Sequence, residues 1–222
     1  MKAHSTQPRE AEPTVMVIDD DRDIREALQG LLRSVGLCVE LYASVQEFLD
    51  SGELPRRGCL VLDVRLPGRS GLDFHDDLVS ANVHLPVVFI SGHADVQMSV
   101  RAMKAGAIEF LTKPVRHQDL LDAIQRAIAY DDAHHEEQRA IGAIRTNFDK
   151  LTPREREVMA LVVAGRLNKQ VAAEIGITEA TVKLHRGQVM RKMHVRSLAE
   201  LVRIADKLQL TPPQPQAPST KV

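Results

Sequence analysis

The sequence predicts an α/β domain built on a five-stranded, doubly wound parallel sheet, then a helical linker and a small all-α domain of four helices. Three observations predict it. Five short apolar runs alternate with segments of helical spacing along the first half of the chain. After Leu151, helix start and stop signals follow one another with no strand-like run between them. The charge also divides: residues 1–124 carry 13 Lys+Arg against 19 Asp+Glu, and residues 151–222 carry 12 against 6. An acidic front and a basic back indicate two domains with different partners, the basic one suited to nucleic acid. The formal net charge of −1 over 222 residues conceals this asymmetry.

Residues 1–13 are polar and read as disordered. TVMVID (14–19) is the first apolar run. Asp21 to Val35 carries Ile24, Leu28, Leu31 and Leu32 at helical spacing, and Gly36 is a helix-stop glycine. LCVELY (37–42) is strand-like. Ser44 and Glu47 form an S-x-x-E capping pattern that opens a short helix. CLVLD (59–63) is the third run. Ser70 to Ser80 reads as helix, with Leu72, Leu78 and Val79 apolar. PVVFIS (86–91) is the fourth run, Asp95 caps a helix through Lys104, and AIEFL (107–111) is the fifth run. Continuous rather than alternating apolarity means strands covered on both faces, hence a doubly wound parallel sheet. The first domain is set at 14–130.

The helix from His117 places Leu120, Leu121, Ile124, Ala127 and Ile128 toward that domain's core. Residues 131–139 are polar all round, and Ile141, Ile144 and Phe148 resume the apolar spacing, so 131–147 reads as a helical linker with a solvated middle. His134 and His135 are adjacent and point to different helix faces, which favours a solvated helix over a metal site. The second domain is set at 148–210. Thr152-Pro153-Arg154-Glu155 joins a capping box to a proline at the first helical position. Asn168 to Ile175 is a second helix stopped by Gly176, Thr178 opens a third to about Met193, and Ser197 with Glu200 opens a fourth to about Leu208. The proline-rich tail 211–222 reads as disordered. Cys38 and Cys59 sit singly in strand-like runs and are read as small buried core residues. No apolar run approaches the ~20 residues of a membrane span. The polar N-terminus lacks signal-peptide character, so a soluble cytoplasmic protein without a membrane partner is expected.

In parallel doubly wound sheets, ligands bind outside the carboxyl ends of the strands. The first strand delivers Asp19, Asp20 and Asp21 there, the third Asp63, the fourth Ser91, and the fifth leads to Lys113. Clustered carboxylates repel unless they are neutralised, and an all-oxygen set suits a hard cation such as Mg²⁺. Asp63 is then a carboxylate nucleophile able to take a phosphoryl group. Mg²⁺ and Lys113 would offset charge on that group, with Ser91 bonding its oxygens. An acidic run after a strand is often only a helix N-terminus, where acids favour the dipole; agreement among four strand ends argues for a site.

VIDDD (17–21), LVLDVRLPGRSG (60–71), VVFISGHADV (87–96) and FLTKP (110–114) resemble, in order, the receiver domains of bacterial response regulators. The resemblance implies that Asp63 is phosphorylated by a partner histidine kinase. It implies Asp20 as a direct Mg²⁺ ligand, Asp19 as one acting through water, and Asp63 and the Arg65 carbonyl as further ligands. Ser91 becomes the switch hydroxyl, Phe110 the rotating aromatic, and Lys113-Pro114 a cis bond. Catalysis is limited to the chain's own phosphoryl transfer and dephosphorylation. An alternative reading, an aspartate-nucleophile phosphohydrolase, needs a second carboxylate two residues after the nucleophile; Arg65 stands there.

The second and third helices of the basic block read as a helix-turn-helix. On the third, Val182, Val189 and Met193 share one face, with Lys183, Leu184, Gly187, Gln188 and Arg191 opposite. Lys183 and Gln188 are candidates for base edges; Lys169, Arg186, Arg191 and Lys192 for phosphates or solvent. Residues 151–193 resemble the LuxR-type DNA-binding domain, which adds Thr178, Thr181 and Leu184 to the DNA-facing set. The two-domain combination resembles the FixJ/NarL class of transcriptional regulators. Residues 91–114 are closest to its FixJ branch, which includes regulators of aromatic-hydrocarbon catabolism. The class implies promoter DNA and RNA polymerase as partners and a homodimer on phosphorylation, with Leu198, Leu201, Val202 and Ala205 of the last helix at the dimer contact. Gly187 departs from the pattern, because a side chain often reaches a base from that position. A phosphorelay or scaffold protein without DNA remains the third reading, opposed by the basic helix-turn-helix.

Overall fold

The structure is a computed structural model that describes residues 12–52, 57–92 and 95–210. The expected disorder at 1–13 and 211–222 lies, Glu12 and Pro13 apart, outside the described residues. The chain divides into two compact units, 1–135 and 136–222.

In the first unit, β1 (Thr14–Ile18), β2 (Cys38–Tyr42), β3 (Gly58–Asp63), β4 (Val87–Ser91) and β5 (Glu109–Thr112) form one parallel sheet in the order β2-β1-β3-β4-β5. Between them lie α1 (Arg22–Ser34), α2 (Val45–Asp50), α3 (Gly71–Ser80) and α4 (Val96–Lys104). A final helix, α5 (His117–Asp149), begins in this unit and ends in the second. Successive strand side chains point to opposite faces, and the two cores divide accordingly. Met16, Ile18, Leu60, Leu62 and Phe89 meet Phe48, Leu72, Phe74 and Ala102 of α2–α4. Val15, Val17, Val61, Val88 and Ile90 meet Leu28 and Leu32 of α1 and Leu120, Ala123, Ile124 and Ala127 of α5. Central strands β1, β3 and β4 are buried on both faces, which explains their unbroken apolar runs.

The edge strands differ. β2 alternates exposed and half-buried positions, and β5 is half-buried. This corrects the reading of Cys38 as a core residue. It is exposed at the sheet edge, where its thiol meets the Glu12 carboxylate at 3.6 Å. Cys59, on central β3, is buried, and burial pushes its thiol up to about 12. Val79 also faces outward, although its neighbour Leu78 is buried.

A second correction concerns the polar stretch of α5. Asp131 is 2% exposed. Its Oδ2 accepts the N–H of Gly58 at 2.9 Å, and neighbouring Asp132 accepts from Arg57 Nε at 2.9 Å. The stretch therefore anchors α5 to the start of β3 rather than being solvated all round. Gly58 has φ +145°, and a Cβ there would meet the Thr14 carbonyl oxygen at 1.9 Å, so only glycine fits beneath this anchor.

The second unit contains α6 (Pro153–Val163), α7 (Asn168–Ile175), α8 (Glu179–Lys192) and α9 (Leu198–Lys207). Val158, Met159, Val162, Val171, Val182, Val189, Leu201 and Ala205 fill its core. Of the three S/T-x-x-E patterns, only Thr152–Glu155 closes as a full capping box. At α2 and α9 the serine caps its helix, but Glu47 and Glu200 accept from Ala43 and Arg196, one residue earlier. Gly176 closes α7 in the left-handed conformation, φ +68°.

Glu155 has a further partner. Lys192 Nζ donates to its Oε2 at 2.6 Å, so Lys192 is occupied inside the domain rather than facing phosphate. Burial raises the Glu155 pKa, but its bonds with Lys192 and Thr152 outweigh this and hold it below the usual carboxylate range. A depressed carboxyl stabilises the fold above its unfolded pKa and loses that contribution as pH falls through the folded one. Lys192→Met is expected to weaken α6 and α8 by about 1–2 kcal/mol at neutral pH, a buried-pair cost discounted for the lysine's partial exposure. The difference should shrink as pH falls through the Glu155 pKa; hydrogen exchange of α6 and α8 amides measures both.

Candidate functional site

The sheet order places β1 between β2 and β3, so chain connections diverge between β1 and β3, where such sheets open a crevice at their carboxyl edge. Asp19 follows β1 and Asp63 ends β3. Both are almost fully buried, at 0% and 5% exposed, whereas Asp20 is exposed. Oxygens of Asp19, Asp20 and Asp63 lie within 4.8 Å of one another. Lys113 Nζ reaches in from beyond β5 and donates to Asp19 Oδ2 and Asp63 Oδ2, each at 2.6 Å. The peptide after it, Lys113-Pro114, is cis.

Local backbone geometry fixes these groups. Asp19 Oδ1 accepts the N–H of Asp21 at 3.0 Å, and Asp63 Oδ1 accepts the N–H of Arg65 at 3.0 Å. Asp21 itself caps α1. Lys113 N–H donates to the Ser91 carbonyl at 2.8 Å, which joins the β4 and β5 ends. Behind β3, α3 begins so close that a Cβ at Gly71 would sit 2.2 Å from the Asp63 carbonyl oxygen. Burial raises the Asp19 pKa, opposed by Lys113 and the Asp21 amide. Burial lowers the Lys113 pKa, but the two carboxylates outweigh it, and the net shift is upward. The ammonium is therefore held charged between two anions.

The oxygen-only set, with one exposed member, fits a hard divalent cation that keeps part of its water shell. Ser91 is fully buried, one residue beyond the Asp63-paired Ile90. Phe110 is half-buried against Phe89, ring centroids 6.1 Å apart. Arg65 is exposed at the rim.

In the second unit, Gly176-Ile177-Thr178 turns α7 into α8. Lys169, Thr178, Lys183, Leu184 and Arg191 are exposed, and Thr181 and Gln188 are half-buried. Leu184 is 62% and Leu167 70% exposed, so two large apolar groups face outward on this basic surface. Leu167 had no sequence signal beyond its place before α7. Thr178 caps α8 through the Thr181 N–H at 3.2 Å, and the two hydroxyls lie 2.9 Å apart. Arg186 is less free than its sequence position suggested, because its Nη1 donates to Asn168 Oδ1 at 2.6 Å and ties α8 to α7. Arg191 donates to Gln188. Nothing lies within 4 Å of a Cβ built on Gly187.

The dimer contact expected on α9 needs correction. Leu201 and Ala205 are each 1% exposed and belong to the unit's own core. Leu198, 41% exposed, and half-buried Val202 remain at the surface.

Comparison with known proteins places a family domain in each unit. Residues 15–125 match the response regulator receiver domain, and residues 149–205 match the bacterial regulatory proteins of the luxR family. Nodulation protein W of Bradyrhizobium diazoefficiens is 50% identical over 197 residues, covering 89% of this chain and 87% of that protein. Response regulator protein TodT of Pseudomonas putida is 43% identical over 195 residues, covering 88% and 86%. Among solved structures, response regulator StyR superimposes with a TM-score of 0.75 at 45% identity, covering 89% of this chain and all of that one. Full-length FixJ from B. japonicum gives 0.54 at 37% identity, covering 90% and 98%.

Gly71→Ala should push α3 off the end of β3. An overpacking cost of about 1–3 kcal/mol is expected, together with weaker Mg²⁺ binding as the Asp63 peptide shifts. Urea denaturation and Mg²⁺ titration of the variant check both.

Proposed function

Because the chain belongs to the FixJ/NarL class of two-component response regulators, with a receiver and a LuxR-type DNA-binding domain, we propose that Asp63 is its phosphorylated residue. The carrying observation is Lys113 bridging the buried carboxylates of Asp19 and Asp63 at the switch point of the sheet. An Asp63 oxygen attacks phosphorus on the phosphohistidine of a partner kinase. The O–P bond forms as the N–P bond breaks, and the electron pair leaves with the histidine nitrogen. Asp19, Asp20, Asp63 and the Arg65 carbonyl would hold a Mg²⁺ ion, which supplies positive charge against the transferred group. Lys113 exchanges its bond to Asp63 for one to a phosphoryl oxygen. The phosphate brings about two charges and three acceptors. Ser91 donates its hydroxyl to one of them, and Phe110 moves to fill the space behind it. The chain performs its own phosphoryl transfer and dephosphorylation and no other catalysis.

The output we propose is a phosphorylation-promoted homodimer that binds promoter DNA and engages RNA polymerase. Val96, Val100 and Met103, spaced along one side of α4, are 78%, 45% and 46% exposed and offer an apolar surface for the receiver contact. Leu198 and Val202 serve the same purpose on α9. On α8, Lys183, Leu184, Gln188 and Arg191 face the major groove, Lys169 and Arg186 approach phosphates, and Thr178 and Thr181 order the start of the recognition helix. Domain limits of 14–130 and 148–210, joined by a helical linker at 131–147, accompany this reading. The described helices include none long and apolar enough to cross a membrane. We place the protein's action in the cytoplasm, where kinase and promoter meet.

Intact mass after incubation with acetyl phosphate and Mg²⁺ tests the acceptor. A single phosphoryl adduct on wild type and none on Asp63→Asn is expected; an adduct on both would move the acceptor elsewhere. Gly187→Ala separates folding from recognition on α8. The space is open and alanine favours helix, so stability should rise by about 0.5–1 kcal/mol. DNA affinity should fall if this backbone lies against the duplex, which thermal melting and fluorescence anisotropy would resolve together.

A further inference from the structure

We propose that His84, Asp131 and His135 form a binding site for one divalent transition ion of the Zn²⁺ class, at the rim of the receiver sheet opposite the aspartate pocket. Gly58 begins β3 at this rim and Asp63 ends the strand at the other. His84 lies in the turn before β4, whereas Asp131 and His135 lie one turn apart on α5. Asp131 Oδ1 stands 3.7 Å from His84 Nε2 and 3.6 Å from His135 Nε2. Both separations are too long for hydrogen bonds. They are close to the edge between two ligands of a tetrahedral ion, about 3.4 Å for metal–ligand bonds near 2.0–2.2 Å.

Three further observations support a built site. Asp131 Oδ2 accepts the Gly58 N–H at 2.9 Å, which fixes the carboxylate and leaves Oδ1 facing the histidines. Oriented carboxylates of this kind are a regular feature around metal ligands. His84 Nε2 is buried and has no hydrogen-bond partner, a cost that a metal bond would remove. The His84 ring is held in place by stacking on His134, centroids 3.6 Å apart, and on Tyr130, 5.4 Å apart. His134 thus orients His84 rather than ligating. The nearby cation, Arg57, is paired with Asp132. Imidazole nitrogens with one carboxylate select a borderline ion over Mg²⁺.

The third edge is open in the structure. Among the described residues, only Asp19, Asp20 and Asp63 have three ligand atoms mutually within 4.8 Å. The half-exposed His135 side chain must swing toward His84 to close the set, with water in the fourth place. Binding would tie the turn before β4 to α5.

The test is isothermal titration of the full chain with Zn²⁺ in saturating Mg²⁺, which keeps the aspartate pocket occupied. One Zn²⁺ per chain is expected, weakened at least tenfold in His84→Gln and in His135→Gln and unchanged in His117→Gln, an exposed histidine outside the cluster. Co²⁺ in place of Zn²⁺ should give visible absorption bands of a four-coordinate site in wild type and lose them in His135→Gln. His135 is surface-accessible, so its variant decides the matter even if His84→Gln fails to fold. Affinity equal to wild type in His135→Gln, displacement of Zn²⁺ by Mg²⁺, or no binding at all would overturn the proposal.

Discussion

The first unit is organised around one ammonium group and two buried carboxylates. Lys113 holds Asp19 and Asp63, which arrive from the ends of β1 and β3 and would otherwise repel. The lysine comes from the far side of the sheet, so the pairing needs β1, β3, β4 and β5 in their observed order. The three groups close the carboxyl edge of the sheet, and in the proposed function the same oxygen-rich crevice takes a cation and a phosphoryl group. On its inner side the site is bounded by α3, which approaches the Asp63 peptide closely with Gly71 at the contact.

The two ends of this sheet are held by different means. At the carboxyl edge, charge meets charge. At the opposite edge, a buried carboxylate on α5 takes the N–H of Gly58, and Arg57 pairs with Asp132. Asp131 sits 73 positions from Gly58 in the chain, and only the packing of α5 on the α1 side of the sheet brings them together. Two of the histidines gathered there, His134 and His135, lie on the same helix, and His84 comes from the segment before β4. A cluster of that composition is chemically distinct from the aspartate pocket and would answer to a different ion.

The second unit uses its charged residues partly for itself. Glu155 is the N3 residue of a capping box and the partner of Lys192, so one carboxylate fixes the start of α6 and the end of α8. Arg186 and Asn168 tie α8 to α7. These bonds define the pose of the recognition helix. They also separate basic residues that position it from Lys183, Lys169 and Arg191, which remain exposed.

What the sequence determined by itself was local and periodic. Unbroken apolar runs declared the central strands, Ser, Thr and Asp before helical spacing declared the caps, and Gly36 and Gly176 marked the stops. The aspartate pocket was legible too, because a parallel sheet collects its strand ends on one rim whatever the side-chain detail. Tertiary structure decided the matters that depend on which face a neighbour covers. Cys38 lies open because β2 is an edge, and Asp131 is buried because α5 crosses the start of β3. Leu201 and Ala205 close a core rather than a dimer because α9 packs on its own domain. His84 joins His134 and His135 from more than forty positions away along the chain. Periodicity reports the face of an element, but the partner on that face is set by long-range packing, which no local pattern encodes.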